Sequence, residues 1–353
     1  MVSLDCNDTG LRNLFRALVR YHYSEWDYNE HMGGDGLSRL LSQENPITAY
    51  ETRWHAENYE EALLEIFHNP YEEYDKGISI YAGYDETGIQ LAPLRAIKTD
   101  HDSSLVKLRR QLQEKNYFLF EKDATKLLDP HIEKLERIIE AKTILYRSRI
   151  GCQKRATPLF GWRDKWHYKP YDGNQLSAPP PITAGGGRLN RPGVSYLYLA
   201  TDEKTAICEV RPHPGHYVSV GEFECNTPVR VADFNAISIR QYCDSDNRLD
   251  QYLLLKTIEQ LFSLPVPPEE RGKYSFTQFL SDALRHLGFE GISYKSSVGL
   301  GVNLAIFDPH SFCYVADTAK VVHIDHLEYT YSGLTPWRSD DDYMTDLDGN
   351  YLQ

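Results

Sequence analysis

Residues 185–212, GGGRLNRPGVSYLYLATDEKTAICEVRP, contain a glycine-rich loop, an alternating run and a helical run in close succession. Within this segment, VSYLYLA (194–200) alternates so that Tyr196 and Tyr198 share one face, which predicts a β-strand. Asp202 follows the strand and can cap a helix that carries EKTAICEV. A glycine-rich loop, a strand and a helix thus succeed one another within 28 residues. We therefore expect mixed α and β structure in this half of the chain.

The same alternation of short strands with turns and helices extends from Thr143 to about Val322. Further strands are predicted at 143–150, 217–225, 229–234, 289–296 and 302–307. We expect 217–225 and 229–234 to form a β-pair through the turn at 226–228. Two amphipathic helices are predicted around Leu254–Phe262 and Phe276–Leu284.

The first part of the chain reads as mostly helical. Helices are predicted at Leu11–Val19, after Asn58, and at Leu105–Leu112 and Ile132–Ile139, with strands at 78–84 and 88–91. The predicted fold class is therefore α+β. It comprises a helical N-terminal domain (1–142), a mixed β-sheet domain with peripheral helices (143–330), and an acidic, poorly ordered tail (331–353). The acidic residues of the tail are Asp340, Asp341, Asp342, Asp346 and Asp348.

Composition restricts the classes of function. The 353 residues contain 38 basic and 51 acidic side chains, for a net charge of −13, which disfavours non-specific nucleic-acid binding. No apolar stretch is long enough to span a membrane, and the first residues do not resemble a signal peptide. The six cysteines are scattered without a C-x-x-C pair, so we expect free thiols in a reducing, cytoplasmic setting.

Three residues in segment 185–212 are candidates for catalysis or ligand binding. Arg188 follows three glycines and offers a planar fork of donors suited to a pyrophosphate. Tyr198 can stack on a flat heterocycle or hydrogen-bond its ribose. Glu209 is a carboxylate among apolar neighbours. Placing its charge there costs free energy unless the carboxylate has a partner or a functional role. Taken singly, each residue also has a structural interpretation: Arg188 as a surface charge, Tyr198 as a core aromatic and Glu209 as a carboxylate on a helix surface.

The segment from about Leu145 to Val322 resembles the RES family, which is named for its Arg, Glu and Ser motifs. The matching pieces are LYRSRI with Arg147, GGRLN with Arg188, YLYLA with Tyr198, AICEVRP with Glu209, GISYKSS with Ser296 and Ser297, and GVNLAIF with Asn303. The spacing from Tyr294 favours Ser296 over Ser297 as the family serine.

The resemblance implies a function and a set of roles. RES family members are bacterial toxins that degrade NAD⁺, and their fold resembles that of ADP-ribosyltransferases. NAD⁺ would be the substrate, and no separate cofactor is expected. The implied roles are pyrophosphate binding by Arg188 and Arg147, packing of Tyr198 on nicotinamide or its ribose, stabilisation of the ribose cation by Glu209, and hydrogen bonding on the nicotinamide side by Ser296 and Asn303.

The sequence does not identify the group that accepts ADP-ribose after nicotinamide leaves. Water would make the protein an NAD⁺ glycohydrolase, phosphate a phosphorylase, and a protein side chain a mono-ADP-ribosyltransferase. A module that binds NAD⁺ without turnover is the non-enzymatic alternative. A cognate antitoxin is expected by family likeness.

The N-terminal part more weakly resembles the HEPN-like domains that precede some RES domains. We expect it to serve oligomer contacts, regulation or antitoxin binding. Arg16 and His22 have a spacing like that of the HEPN ribonuclease motif, but such a pair arises easily by chance. His213 and His216 lack a nearby third ligand, so no metal site is expected.

Overall fold

The structure is a computed structural model, and it describes residues 9–28, 32–35, 40, 46–47, 93–157, 166–328 and 330–333. The helix predicted after Asn58, the strands predicted at 78–84 and 88–91, and the acidic residues from Asp340 to Asp348 lie outside the described residues. Backbone contacts divide the chain into two units, Met1–Leu105 with Ile237–Thr257, and Val106–Ala236 with Ile258–Gln353.

The described helices are α1 Thr9–His22, α2 Glu25–Tyr28, α3 Ser103–Glu114, α4 Glu121–Leu128, α5 Ile132–Leu135, α6 Glu203–Glu209, α7 Asp246–Ser263 and α8 Ser275–His286. The described strands are β1 Glu136–Ile139, β2 Ile144–Ile150, β3 Lys154–Ala156, β4 His167–Lys169, β5 Leu197–Ala200, β6 Tyr217–Cys225, β7 Val229–Asp233, β8 Gly291–Lys295, β9 Val302–Ile306, β10 Phe312–Tyr314 and β11 Lys320–His323. These elements confirm the predicted α+β class and the six strand predictions made for the second half.

The first unit contains the amphipathic helix α1, as its periodicity predicts. Val19 of α1 and Tyr28 of α2 are buried together. Glu25 is fully buried, and its Oε2 accepts a hydrogen bond from the backbone N of Leu94 at 3.0 Å, so the buried carboxylate is partnered.

A mixed sheet organises the second unit. Its strand order in the described part is β1-β7-β8-β9-β5-β2-β6-β10, and β11 also pairs with β6. The β7–β8 pair is parallel, and the other pairs of this sheet are antiparallel. Strands β3 and β4 form a separate two-stranded ribbon.

The predicted pairing of 217–225 with 229–234 is wrong. Strand β6 pairs with β2, β10 and β11, whereas β7 pairs with β1 and β8. Only three residues connect β6 to β7, although four strands separate them in the sheet order, so the sheet must bend until its two halves face each other. The β1–β2 connection passes beside this bend, since Lys142 N donates to Cys225 O at 2.8 Å. Partners from β1 and β2 thus replace the hairpin that adjacency in sequence favours.

One hydrophobic core cluster of the second unit combines apolar side chains from the sheet strands with Leu176 from the connection before β5. Its buried members are Ile139, Leu145, Leu176, Leu197, Leu199, Phe223, Cys225, Val229, Val231, Leu304, Ile306 and Phe312. Burial of these side chains favours closure of the sheet.

The predicted helix at Ile132–Ile139 is only half correct. Residues 132–135 form α5, but Glu136–Ile139 form β1, which pairs with β7. Ladder hydrogen bonds and two consecutive β-branched isoleucines here override the helical spacing. Strand β1 therefore precedes the predicted boundary at Lys142 and still belongs to the sheet. The linear division into 1–142, 143–330 and 331–353 stays a prediction.

Asp202 caps α6, as the sequence predicts. Its Oδ1 accepts from the backbone N of Thr205 and its Oδ2 from Thr205 Oγ1, both at 2.8 Å. Burial raises the pKa of Asp202, but hydrogen bonds from Thr205, Thr201 and Lys204 together outweigh it, and the net effect lowers the pKa from 3.8. The cap fixes the start of the helix whose last residue is Glu209.

We predict that Asp202→Ala lowers the free energy of unfolding by about 1 kcal/mol at pH 7, because the first turn of α6 loses its cap. Asp172→Ala is the matched control, since Asp172 precedes a 3₁₀ turn without a capping hydrogen bond. Urea unfolding measures both. Because the folded-state pKa of Asp202 is lowered, the difference should shrink as the pH falls below 3.8. Equal losses in the two variants would contradict the prediction.

Candidate functional site

Three adjacent strands bring the predicted site residues together. In the antiparallel register, Tyr198 of β5 lies opposite Ala305 of β9, and Ala200 lies opposite Asn303. On the other side of β9, Tyr294 of β8 lies opposite Asn303. Residues near the ends of β5, β8 and β9 thus form one side of the site, and α6 follows directly from β5.

Glu209 is the centre of a hydrogen-bond network. Its Oε1 accepts from Ser296 Oγ at 2.6 Å and from Asn303 Nδ2 at 2.7 Å. Both donors are buried, whereas Glu209 is half-buried. Oε2 has no hydrogen-bond partner among the described residues. One carboxylate oxygen is therefore fixed by neutral donors, and the other stays available to a ligand.

The two candidate serines differ in their surroundings. Ser296 Oγ donates to Glu209 and also accepts from the backbone N of Val298 at 3.2 Å and of Gly299 at 2.9 Å. Ser297 is exposed. Ser296 and Asn303 were expected to bind the nicotinamide side of NAD⁺, and the structure places their hydrogen bonds on Glu209. That ligand role stays a prediction.

Tyr198 is tied to the glycine-rich loop through its hydroxyl. The hydroxyl donates to Asn190 Oδ1 at 2.8 Å and accepts from the backbone N of Leu189 at 3.1 Å. Burial raises the pKa of Tyr198 above its ordinary value, so the phenol stays neutral. With the hydroxyl engaged, the ring is what Tyr198 has left to offer a ligand.

The structure accounts for Gly187 in this loop. A Cβ at Gly187 would lie 2.9 Å from the Tyr198 hydroxyl and would also overlap Asn190 Oδ1. Only glycine permits this close approach. By contrast, a Cβ at Gly185 would meet nothing within 4 Å.

Arg188 uses one nitrogen for the protein and keeps its other edge free. Nη1 donates to the backbone O of Phe262 at 2.5 Å and of Leu264 at 2.8 Å. The guanidinium carbon lies 5.8 Å from the ring centroid of Tyr274 and 5.9 Å from that of Tyr294. Nε and Nη2 have no hydrogen-bond partner in the described part of the chain. These two nitrogens form a fork that suits two phosphate oxygens.

Arg147 is engaged by backbone carbonyls. Nε donates to Leu176 O at 2.6 Å and Nη1 to Tyr198 O at 2.7 Å. Burial lowers the pKa of Arg147 to about 10, so the side chain remains charged at neutral pH. Arg147 thus joins β2 to the strand that carries Tyr198, and the predicted contact with pyrophosphate stays a prediction.

Sequence reasoning missed Tyr294 and Asn190 as site residues. Tyr294 is buried, and its pKa is raised first by burial, with further electrostatic effects from Tyr198, Arg188 and Glu209. Its ring centroid lies 5.9 Å from the guanidinium carbon of Arg188, and Tyr294 lies opposite Asn303 in the sheet. Tyr294 occurs in the motif GISYKSS and Asn190 in the motif GGRLN. Their place in these motifs was the only feature of the sequence that could have marked them as site residues.

Neither a metal site nor a membrane span emerges from the residues that are described. They contain no group of three or more His, Cys, Asp or Glu side chains placed to hold a metal ion. None of their helices is both long and apolar enough to cross a membrane. His216 Nδ1 accepts a hydrogen bond from the backbone N of His213 at 3.1 Å, which gives this ring a local structural role.

Comparison with known families decides the assignment. The RES domain profile matches residues 155–332, half of the chain. The chain belongs to the RES domain family. The match contains Arg188, Tyr198 and Glu209, begins after Arg147, and does not reach the N-terminal part, where the HEPN-like resemblance stays a prediction.

One chain in the crystal structure of the M. tuberculosis MbcT–MbcA toxin–antitoxin complex is similar to the RES chain, with 14% identity and a TM-score of 0.32. The similarity covers 56% of the present chain and 92% of the other. No curated protein matches. The likeness of the RES domain to ADP-ribosyltransferases stays a prediction.

We predict that Gly187→Ala lowers the free energy of unfolding by more than about 1 kcal/mol, since the added methyl overlaps Asn190 and the Tyr198 hydroxyl. Gly185→Ala, two residues away, should change it by less than about 0.5 kcal/mol. Urea unfolding of the two variants measures the difference. Equal stability would mean that the loop does not depend on this close approach.

Proposed function

We propose that the RES domain of this chain cleaves the bond between nicotinamide and ribose in NAD⁺. The observation that carries the proposal is that two opposite charges of the candidate site, Glu209 and Arg188, are each held by neutral groups and form no ion pair among the described residues. Ser296 and Asn303 hold Glu209, and backbone carbonyls hold Arg188. NAD⁺ carries a cationic nicotinamide and an anionic pyrophosphate, so it matches both charges.

Cleavage of this bond does not require the protein to protonate the leaving group. Nicotinamide leaves as a neutral molecule from a cationic ring, so no general acid is needed. As the bond breaks, positive charge develops on the ribose. The free Oε2 of Glu209 would stabilise that charge, while the hydrogen bonds on Oε1 keep the carboxylate oriented.

The remaining residues would bind and orient the substrate. Arg188 would grip pyrophosphate oxygens with its Nε–Nη2 edge. The Tyr198 ring would pack on nicotinamide or its ribose. Arg147 would act on the same site by holding the backbone of Tyr198, at a distance of 2.7 Å from the carbonyl oxygen.

We further propose that this cleavage depletes NAD⁺ as the action of a toxin, and that a cognate antitoxin controls it. The support is membership of the RES family, whose members are NAD⁺-degrading toxins. Water or phosphate is the acceptor we favour, since either makes the chain a stand-alone NAD⁺-consuming enzyme.

We predict that purified protein converts NAD⁺ to nicotinamide, and that Glu209→Gln lowers the rate by about 100- to 1,000-fold, because the charge facing the ribose is lost. Glu203→Gln is the matched control on the same helix and should keep the wild-type rate, since Glu203 forms an ion pair with Lys320. Chromatography of the products, with and without phosphate, measures the rates and identifies the acceptor.

The products separate the alternatives. ADP-ribose without phosphate indicates a glycohydrolase, and phosphorylated ADP-ribose formed only with phosphate indicates a phosphorylase. Label transferred from NAD⁺ to protein would support the mono-ADP-ribosyltransferase instead. NAD⁺ that binds but is not consumed would leave a binding module, and an unchanged rate in Glu209→Gln would remove Glu209 from the mechanism.

We also predict that Ser296→Ala lowers kcat by about 10- to 100-fold, because the carboxylate loses one charge-assisted hydrogen bond. Ser297→Ala should stay within about twofold of the wild type, since this neighbouring serine is exposed. Steady-state kinetics on NAD⁺ compares the pair. Equal effects of the two substitutions would show that the hydrogen bond to Glu209 does not matter for the rate.

A further inference from the structure

The segment Phe262–Gln278 holds Arg188 through both its side chain and its backbone. The carbonyls of Phe262 and Leu264 accept from Nη1 of Arg188. Thr277 Oγ1 donates to the backbone O of Arg188 at 2.5 Å, and Gln278 Nε2 donates to the O of Gly187 at 2.7 Å. Tyr274 lies between these contacts in sequence, at the end of a 3₁₀ segment, Pro268–Tyr274.

We propose that Tyr274 is a positioning residue, which orients the guanidinium of Arg188 so that its Nε–Nη2 edge meets a phosphate group of NAD⁺. This inference rests on the proposed function of the site. Tyr274 acts through Arg188 and need not touch the reacting atoms.

The hydrogen bonds of Arg188 act at one end of its guanidinium, and the Tyr274 ring can restrain the rest. Both hydrogen bonds come from Nη1, so no hydrogen bond in the described part of the chain acts directly on the Nε–Nη2 edge. An aromatic ring within 6 Å favours particular orientations of the plane, by cation–π attraction and by packing. Tyr274 lies at 5.8 Å and Tyr294 at 5.9 Å from the guanidinium carbon.

Of the two tyrosines near Arg188, Tyr274 is the one whose substitution can be interpreted. Tyr294 is buried on a central strand, so its removal would damage the core. Tyr274 is only half-buried, and Thr277 and Gln278 hold the loop backbone independently of it. Substitution of Tyr274 should therefore change the orientation of Arg188 with little effect on the fold.

The same loop provides a matched control. The guanidinium carbon of Arg191 lies 4.0 Å from the ring centroid of Tyr117, and Arg191 also forms an ion pair with Asp282 at 2.8 Å. This second arginine–tyrosine contact lies three residues along the chain from Arg188 and is not one of the proposed substrate contacts.

The first test is steady-state kinetics on NAD⁺. Tyr274→Leu should raise KM by about three- to tenfold and change kcat by less than about twofold, since the lost interaction serves substrate binding. Tyr274→Phe keeps the ring and should restore the wild-type KM, and Tyr117→Leu should leave KM unchanged. A structural role alone would lower thermal stability and the active fraction without raising KM. A wild-type KM in Tyr274→Leu would overturn the inference.

A second test asks whether Tyr274 acts through Arg188. Arg188→Lys lacks the planar fork, so adding Tyr274→Leu to it should cause no further rise in KM. An equal rise in both backgrounds would overturn the positioning role.

Binding of inorganic pyrophosphate, measured by calorimetry, separates this inference from the proposed function. Weaker binding to Tyr274→Leu than to the wild type supports the positioning role even if the wild type consumes no NAD⁺, which would refute the proposed cleavage alone. Equal binding, or no binding to either protein, would overturn the role of Tyr274.

Discussion

Two hydrogen bonds on Oε1 of Glu209 couple the candidate site to the register of the sheet. They join the end of α6 to residues 87 and 94 positions further along the chain. A half-buried carboxylate needs such donors, and they meet it only if β5, β9 and β8 keep their register. A slip of one residue would turn Asn303 to the opposite face of the sheet. The charge and the sheet register therefore stabilise each other.

The turn 296–301 contacts both ends of α6. At the end of the helix Ser296 donates to Glu209, and at its start the backbone N of Gly301 donates to Thr205 Oγ1 at 3.0 Å. A helix of seven residues is only about 10 Å long and has little stability of its own. With Asp202 as its cap, the helix owes its position to tertiary contacts. The direction in which Glu209 points is thus set from outside the helix.

The sequence named the candidate site residues through motifs and a family resemblance, and their roles stay predictions. It was sufficient to predict six of the described strands, because strand alternation is a local property, but it missed β1, β3, β4, β10 and β11. It was insufficient for pairing, as the wrong 217–225/229–234 hairpin shows. That pairing depends on where β1 and β2 lie, which no local pattern records. The partners of Arg147 and Arg188 were also inaccessible, since both arginines bind backbone carbonyls. Every residue has a carbonyl, so no side-chain motif marks the acceptor.

Arg188 and Glu209 are each held by neutral groups, which is a physical argument for a ligand that carries both charges. No ion pair joins the two side chains among the described residues, although the Tyr294 ring lies 5.9 Å from the guanidinium carbon of Arg188 and Tyr294 lies opposite Asn303, which donates to Glu209. An arginine and a glutamate in direct contact would satisfy each other and leave little attraction for a ligand. Neutral hydroxyl, amide and carbonyl groups orient each charge here without cancelling it. A substrate with a cation at one position and an anion at another can then be held by both, and bond cleavage next to the cation places the developing charge beside the free oxygen of Glu209.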